Sequence, residues 1–412
     1  MAGDGVFPTH PFLRYWRASA VSGLGTYVTL LALQALVVLT LDGSAVDVGL
    51  LNAARWLPFL LLGLVVGAVV DGRRRLPLMV STDLVQAGLL ILLPLLWWAG
   101  LLSMPSLLVV VAAYGAASVV NAAADMSLLP RLVAGSDLQR AHARLDGADA
   151  VASTGGPALG GLLVNVVGAP LTVLLDAATY LYSALTLRRL GVDEPPARTG
   201  VTVRDLLHDV AQGFRWAYGS SGLAPLALTA HGWFAAHAAV MVVLAPYSLV
   251  TLGLSAAAFG LVGAAGGAGA LLGALVTTVV GRRLGTGWTV IACHAATTVA
   301  VLAMVAAGSV GPGGAAMGLL VTGQVLYGVA MGASNSHEMS YRQLVTPDEL
   351  QARTNTSLRA LNRGVVVVVA PLAGLLADTW SLAGVLALAA VGFAVVTVAL
   401  AATPFRRVRV RA

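Results

Sequence analysis

The sequence predicts an all-α membrane protein: twelve transmembrane helices arranged as two pseudo-symmetric six-helix bundles. Three observations carry this. The 412-residue chain is 58% apolar and only 10% charged, against roughly 45–50% and about 25% in soluble domains. Apolar stretches long enough for a bilayer core of about 30 Å, which takes roughly 20 residues, recur along its whole length. The second half of the chain also repeats the first. A soluble enzyme is excluded by composition alone.

Read between charges, Gly and Pro, the spans fall near 18–41, 47–70, 77–99, 106–126, 146–168, 171–190, 223–249, 257–280, 287–309, 315–337, 357–377 and 381–403. The segment before the first span, MAGDGVFPTHPFLRYWR, is not read as a cleavable signal, because the apolar stretch after it is too long and lacks a small-residue cleavage site. The loop 191–222, opening with VDEPPARTG, separates an N-terminal bundle (1–190) from a C-terminal bundle (223–412). Within that loop Val203, Leu206, Leu207, Val210 and Phe214 recur at helical spacing, which predicts an amphipathic helix lying on the inner leaflet.

The arginines orient the chain, because positively charged loops stay on the cytoplasmic side. All 24 basic residues are Arg, giving a net charge of +6. They sit before the first span (Arg14, Arg17), after the even-numbered spans and in the tail, where Arg406, Arg407, Arg409 and Arg411 lie. Only Arg55 falls elsewhere. This pattern predicts a multi-pass protein of the cell membrane with both termini cytoplasmic. The basic charge is therefore a topology signal, with no domain for nucleic acid. The single Cys293 excludes an intrachain disulfide and a cysteine metal cluster. With no Lys there is no Walker motif and no ATP-driven pump.

The repeat is visible at an offset of about 212. GLVVGAVVDGRRR (63–75) aligns with GALVTTVVGRRLG (273–285), LVAGSDLQ (132–139) with LVTPDELQ (344–351), and GPALGGLL (156–163) with APLAGLLA (370–377). Repeated halves are common in transporter folds, with the substrate site between them.

Three stretches then resemble the major facilitator superfamily, and within it the drug and macrolide exporter branch related to the enterobactin exporter. AARWLPFLLLGLVVGAVVDGRRR (53–75) is similar to that branch's second helix and loop motif. GPALGG (156–161) matches the end of the antiporter motif of helix 5. SYRQLVTPDELQARTNTSLRALNRG (340–364) resembles the loop into helix 11. The resemblance implies a secondary exporter of a small lipophilic compound, such as a drug, antibiotic or natural product, driven by proton antiport. It implies a monomer in contact with membrane lipids and without a cofactor.

Gly63, Gly67 and Asp71 share one helical face, where small residues allow close helix packing. By resemblance Asp71 sits at the N-terminus of helix 11, whose free N–H groups favour an anion, with Arg73, Arg74 or Arg75 as its cationic partner. The antiporter motif supplies Gly156, Pro157, Gly160 and Gly161. Helix 4 carries a polar stripe of Tyr114, Ser118, Asn121 and Asp125, and helix 10 a stripe of Gln324, Tyr327, Met331, Ser334 and Glu338. Asp125 and Glu338 end these stripes about 28 and 35 Å from the outer ends, at 1.5 Å per residue, and read as gate elements; the family implies an arginine partner there. Tyr27, Gln34, Arg55, His231 and His237 are the remaining cavity candidates. An intramembrane charge needs a partner. Arg55 and Asp176 lie at similar depth, so Asp176 is both a pairing candidate for Arg55 and, since helix 1 has no acid, the candidate proton carrier. An intramembrane enzyme would need a polar catalytic constellation; none is evident. The remaining alternatives are a siderophore or metabolite transporter of the same fold and a non-transporting sensor built on it.

Overall fold

The computed structural model describes residues 7–71, 73–190, 203–219 and 222–409, with the backbone alone at 64, 65, 67–69, 71 and 203–207. The described chain is helical, without strands. In order the helices are α1 (His10–Ala35), α2 (Ala45–Asp71), α3 (Arg75–Trp98), α4 (Met104–Leu132), α5 (Leu138–Val167), α6 (Ala169–Arg188), α7 (Val203–Tyr218), α8 (Ala224–Pro246), α9 (Ala256–Leu284), α10 (Thr286–Ala307), α11 (Gly314–Val345), α12 (Asp348–Thr379) and α13 (Leu382–Ala402). All except α7 contribute to the twelve segments long and apolar enough to cross a membrane. Several overrun the predicted spans: α5 begins at Leu138 and α11 ends at Val345. Apolarity marks the bilayer, whereas a helix needs only backbone hydrogen bonds and continues into water on polar residues.

The two halves share details of backbone as well as sequence. α1 ends in a π-helical turn, Leu36–Thr40, and α8 ends in another, Tyr247–Thr251. Each leads through a four-residue link, LDGS (41–44) or LGLS (252–255), into the next helix. Asp42 and Gly253 occupy equivalent places in these links, and both adopt left-handed backbone, at φ 50° and 60°.

In the first bundle α1 packs on α5 and α6, α3 on α4 and α6, and α2 on α4; in the second, α8 packs on α12 and α13, α10 on α11 and α13, and α9 on α11. The bundles meet through α2 with α12 and α5 with α9. Large apolar side chains such as Val109, Leu275 and Val398 remain exposed on the outside, as expected of surfaces that face lipid.

The helix α7 packs on α12: Arg353 of α12 bonds Asp209 at 2.9 Å and donates to Gln212, Ser357 donates to the Val210 carbonyl, and Gly213 lies against the Arg353 backbone. The side chains of Val203, Leu206 and Leu207 lie outside the described residues.

The core shows which way the molecule is open. The start of α1, the end of α13 and α7 mark one face, here the terminal face; the opposite one is the far face. Toward the far face a single buried cluster draws Leu31, Val37 and Val48 from the first bundle and Val243, Leu252 and Ala370 from the second. Toward the terminal face the core divides, with Phe12, Tyr15 and Leu128 in one cluster and Leu223, Tyr341 and Phe405 in another. The far face is sealed by shared packing, and the halves part toward the terminal face.

A cavity between the two bundles

The stretch GPALGG is a point of close packing in this arrangement. A Cβ at Gly156 would collide with Tyr27, and one at Gly160 would meet the Val28 carbonyl at 3.1 Å, both on α1. A Cβ at Gly161 would collide with the Ala256 carbonyl, and the Pro157 backbone lies against Gly260, both on α9. Spacings of four put Gly156 and Gly160 on one face and Pro157 and Gly161 on another. One short motif thus holds α5 in close contact with its own bundle and with the other.

Three adjoining chambers lie between the helices. The first, about 430 Å³, lies within the first bundle. Its wall is a hydrogen-bonded network. Asn121 donates to Asp83 at 2.7 Å and to Thr82 at 2.8 Å; Gln86 donates to Ser118 and to Tyr180, both at 3.0 Å. The Tyr114 and Tyr180 hydroxyls are 2.7 Å apart, with Thr26 beside Tyr180 at 3.1 Å. Tyr15 donates to Asp125 at 2.6 Å. Buried polar groups stabilise a fold only when satisfied, and most here are; one oxygen of Asp83 and the carbonyl oxygen of Gln86 lack a partner.

The middle chamber, about 290 Å³, lies where α2 of one bundle meets α8 and α12 of the other. Trp56 is common to it and the first chamber. Phe234 and His237 lead on to the third chamber, about 380 Å³, inside the second bundle. There His237 bonds the Tyr327 hydroxyl at 2.6 Å and stacks on Trp233 at 4.9 Å, while Ser334 donates to Glu338 and His294 lies 3.6 Å from that carboxylate.

Most of the cavity candidates converge here. Arg55, Tyr114, Ser118, Asn121 and Asp125 line the first chamber; His237 lines the second and third; Met331, Ser334 and Glu338 line the third. Tyr327 stands behind His237. Tyr27 faces α5, where its hydroxyl donates to Asp149 at 3.3 Å. Gln324 packs on Gly266 of α9. Gln34 falls in the α1 segment leading to the shared core and lines none of these chambers. His231 is held outside them, between Tyr218 and Asn362. The Gly67 and Asp71 side-chain positions lie outside the described residues, so their gate roles are not described; Arg73 and Arg74 are exposed, and Arg75 begins α3.

Two expectations are corrected. Arg55 and Asp176 form no ion pair among the described residues: the electrostatic neighbours of Arg55 are Tyr114, Tyr180 and Tyr27. Asp176 is fully buried against α1, where a Cβ at Gly25 would strike it, and it accepts from Thr179 at 2.9 Å while its second oxygen has no hydrogen-bond partner. Equal depth along two helices does not fix the direction in which each side chain points. Second, among the described residues the hydrogen bonds to the stripe-ending acids come from other groups, Tyr15 to Asp125 and Ser334 to Glu338 beside His294, while Arg342 is an electrostatic neighbour of Glu338.

The residues that sequence reading passed over are Asp83, Gln86, Asp149, Trp56 and Arg363. An acid in the middle of an apolar span is itself a functional signal, and Asp83 carries it; Trp56 and Arg363 gain meaning only when α2 and α12 are brought together.

Twelve membrane-spanning helices in two repeated bundles, with a polar cavity between them, define a membrane transporter. The chain belongs to the transmembrane secretion effector family of the major facilitator superfamily, which it matches over residues 6–411. It is 29% identical over 213 residues to the multidrug efflux pump Tap of Mycobacterium bovis (strain BCG / Pasteur 1173P2); the match covers 49% of this chain and 49% of that protein. The chain thus spans about half the length of the curated relatives it matches. Among solved structures, a bacterial homologue of the iron transporter ferroportin in its inward-facing state is 17% identical, with a TM-score of 0.74, covering 95% of this chain and 99% of that one. The outward-facing state, also 17% identical with the same coverage, gives 0.61. These structural likenesses show a shared fold.

Proposed function

We propose that this protein exports a small lipophilic compound across the cytoplasmic membrane by alternating access. The observation that carries the reading is the asymmetry of the core, shared between halves at the far face and divided at the terminal face. With the arginine-rich face cytoplasmic, the cavity opens inward, ready to load from the cytoplasm or inner leaflet. The moving bodies are 1–190 and 223–412, with 191–222 as the linker, and the unit is a monomer bathed in membrane lipid. The relationship to Tap, named as a multidrug efflux pump, supports export.

The driving ion in this reading is a proton. Asp83 lines the first chamber and Asp176 is buried within electrostatic reach of it, and neither forms an ion pair with a basic residue among the described residues. Carboxyl groups of this kind inside a bundle mark proton relays. Both therefore replace the expected arrangement in which Arg55 held Asp176. The test is substrate movement by purified protein in proteoliposomes under an imposed pH gradient, using a panel of lipophilic antibiotics and siderophores. Uptake into vesicles that disappears when the gradient is collapsed supports proton antiport; gradient-independent movement contradicts it.

A further inference from the structure

Arg359 and Arg363 stand one helical turn apart on α12 and both line the middle chamber. No carboxylate lines it among the described residues. The Arg363 guanidinium lies over the ring of Phe59 at 4.2 Å and over Trp56 at 5.3 Å; Arg55 lies over the same indole at 5.1 Å. Among the described residues none of the three arginines forms a salt bridge. The electrostatic neighbour of Arg363 is Arg359, and those of Arg55 are tyrosines.

A guanidinium over an aromatic face is held in place, yet its N–H edge stays free to bind an anion. Like charges one helical turn apart repel, and an anion between them removes that repulsion. The rest of the wall sets apolar Phe234, Met241 and Val366 beside the polar side chains of Asn52, His237 and Asn362. Ligand sites combine such apolar walls with a few placed polar groups.

We infer that the middle chamber binds an amphiphilic anion: a carboxylate, sulfonate or phosphate held by Arg359 and Arg363, with its aromatic or aliphatic body against Trp56 and the apolar wall. Arg55 extends the positive field into the first chamber. This rests on the reading of the cavity as a substrate site and names the chemical class of substrate.

The test uses two probes with one ring system and opposite charge, 2-naphthoate and 2-naphthylmethylammonium. Both are titrated calorimetrically into full-length protein in phosphatidylcholine nanodiscs. The anion is expected to bind at least about tenfold more tightly. Arg359→Gln and Arg363→Gln are each expected to weaken naphthoate about tenfold while leaving the cation unchanged. Because Arg363→Gln also removes the contact with Phe59, Arg363→Lys keeps the charge and is expected to retain the anion preference. Repeating the titration in phosphatidylglycerol discs separates the sources of the anion. Weaker naphthoate binding there shows that lipid phosphate shares the site; unchanged binding shows that the site takes soluble anions alone. Equal affinity for the two probes, a preference for the cation, or an anion preference that survives the double substitution overturns the inference. Binding is read at equilibrium without transport, so failure here leaves export standing, and failure of export leaves this result readable.

Discussion

The carboxylate of Asp378, at the far-face end of α12, accepts the backbone N–H of Ala45 at 2.9 Å. Its second oxygen takes the N–H of Val46 at 3.0 Å. These amides open α2 and have no partner within their own helix, so the second bundle caps a helix of the first. Losing a capping side chain costs about 0.5–2 kcal/mol. Asp378→Ala should therefore shift the balance between far-face closed and open states by roughly 2- to 30-fold, at about 1.4 kcal/mol per tenfold. Spin labels at the exposed positions Leu39 and Val250, on the two π-helical turns, in a Cys293→Ser background, should show a larger long-distance population. An unchanged distribution would remove Asp378 from the seal.

Gly161 should be far less replaceable than Gly155. A Cβ at Gly161 meets the α9 backbone, whereas one at Gly155 meets nothing within 4 Å. Overpacking costs about 1–3 kcal/mol, so Gly161→Ala should lower the thermal midpoint in detergent while Gly155→Ala leaves it almost unchanged. Equal midpoints would mean that α5 and α9 do not need this approach.

His294 and Glu338 should be energetically coupled. They face each other at 3.6 Å across α10 and α11, and the imidazole is almost fully buried. A double-mutant cycle with His294→Ala and Glu338→Gln should give a coupling of about 0.5–3 kcal/mol, the range for residues in contact. Strict additivity of the two losses in thermal stability would show that the contact contributes nothing.

Much of this was readable from spacing. The α4 stripe of Tyr114, Ser118, Asn121 and Asp125 lines one chamber because residues three and four apart share a helical face. The GPALGG run also shows its spacing in its packing. Pairing across helices was not readable: Arg55 and Asp176 sit at matching depth, yet one points to the cavity and the other to α1. A periodic pattern fixes the face of a helix but not its rotation against a distant neighbour. The same limit hid Arg363, which meets Trp56 only because α12 lies on α2.

Membrane orientation is tested separately from mechanism. With 19 of the 24 arginines outside the predicted spans and all of these on one side, reporter fusions at Ala412 and near Gly311 should report opposite compartments, with Ala412 inside. Reports from the same side would contradict the twelve-span arrangement.

The most direct test of the central claim is coupled flux in proteoliposomes, read with both a substrate signal and an internal pH dye. The account predicts that substrate is driven against its own gradient when protons flow the other way. Asp83→Asn and Asp176→Asn should abolish this proton movement while substrate binding persists. Substrate accumulation with normal proton movement in both variants would contradict the assignment of these carboxyl groups, and no substrate movement by correctly folded protein would contradict the exporter reading itself.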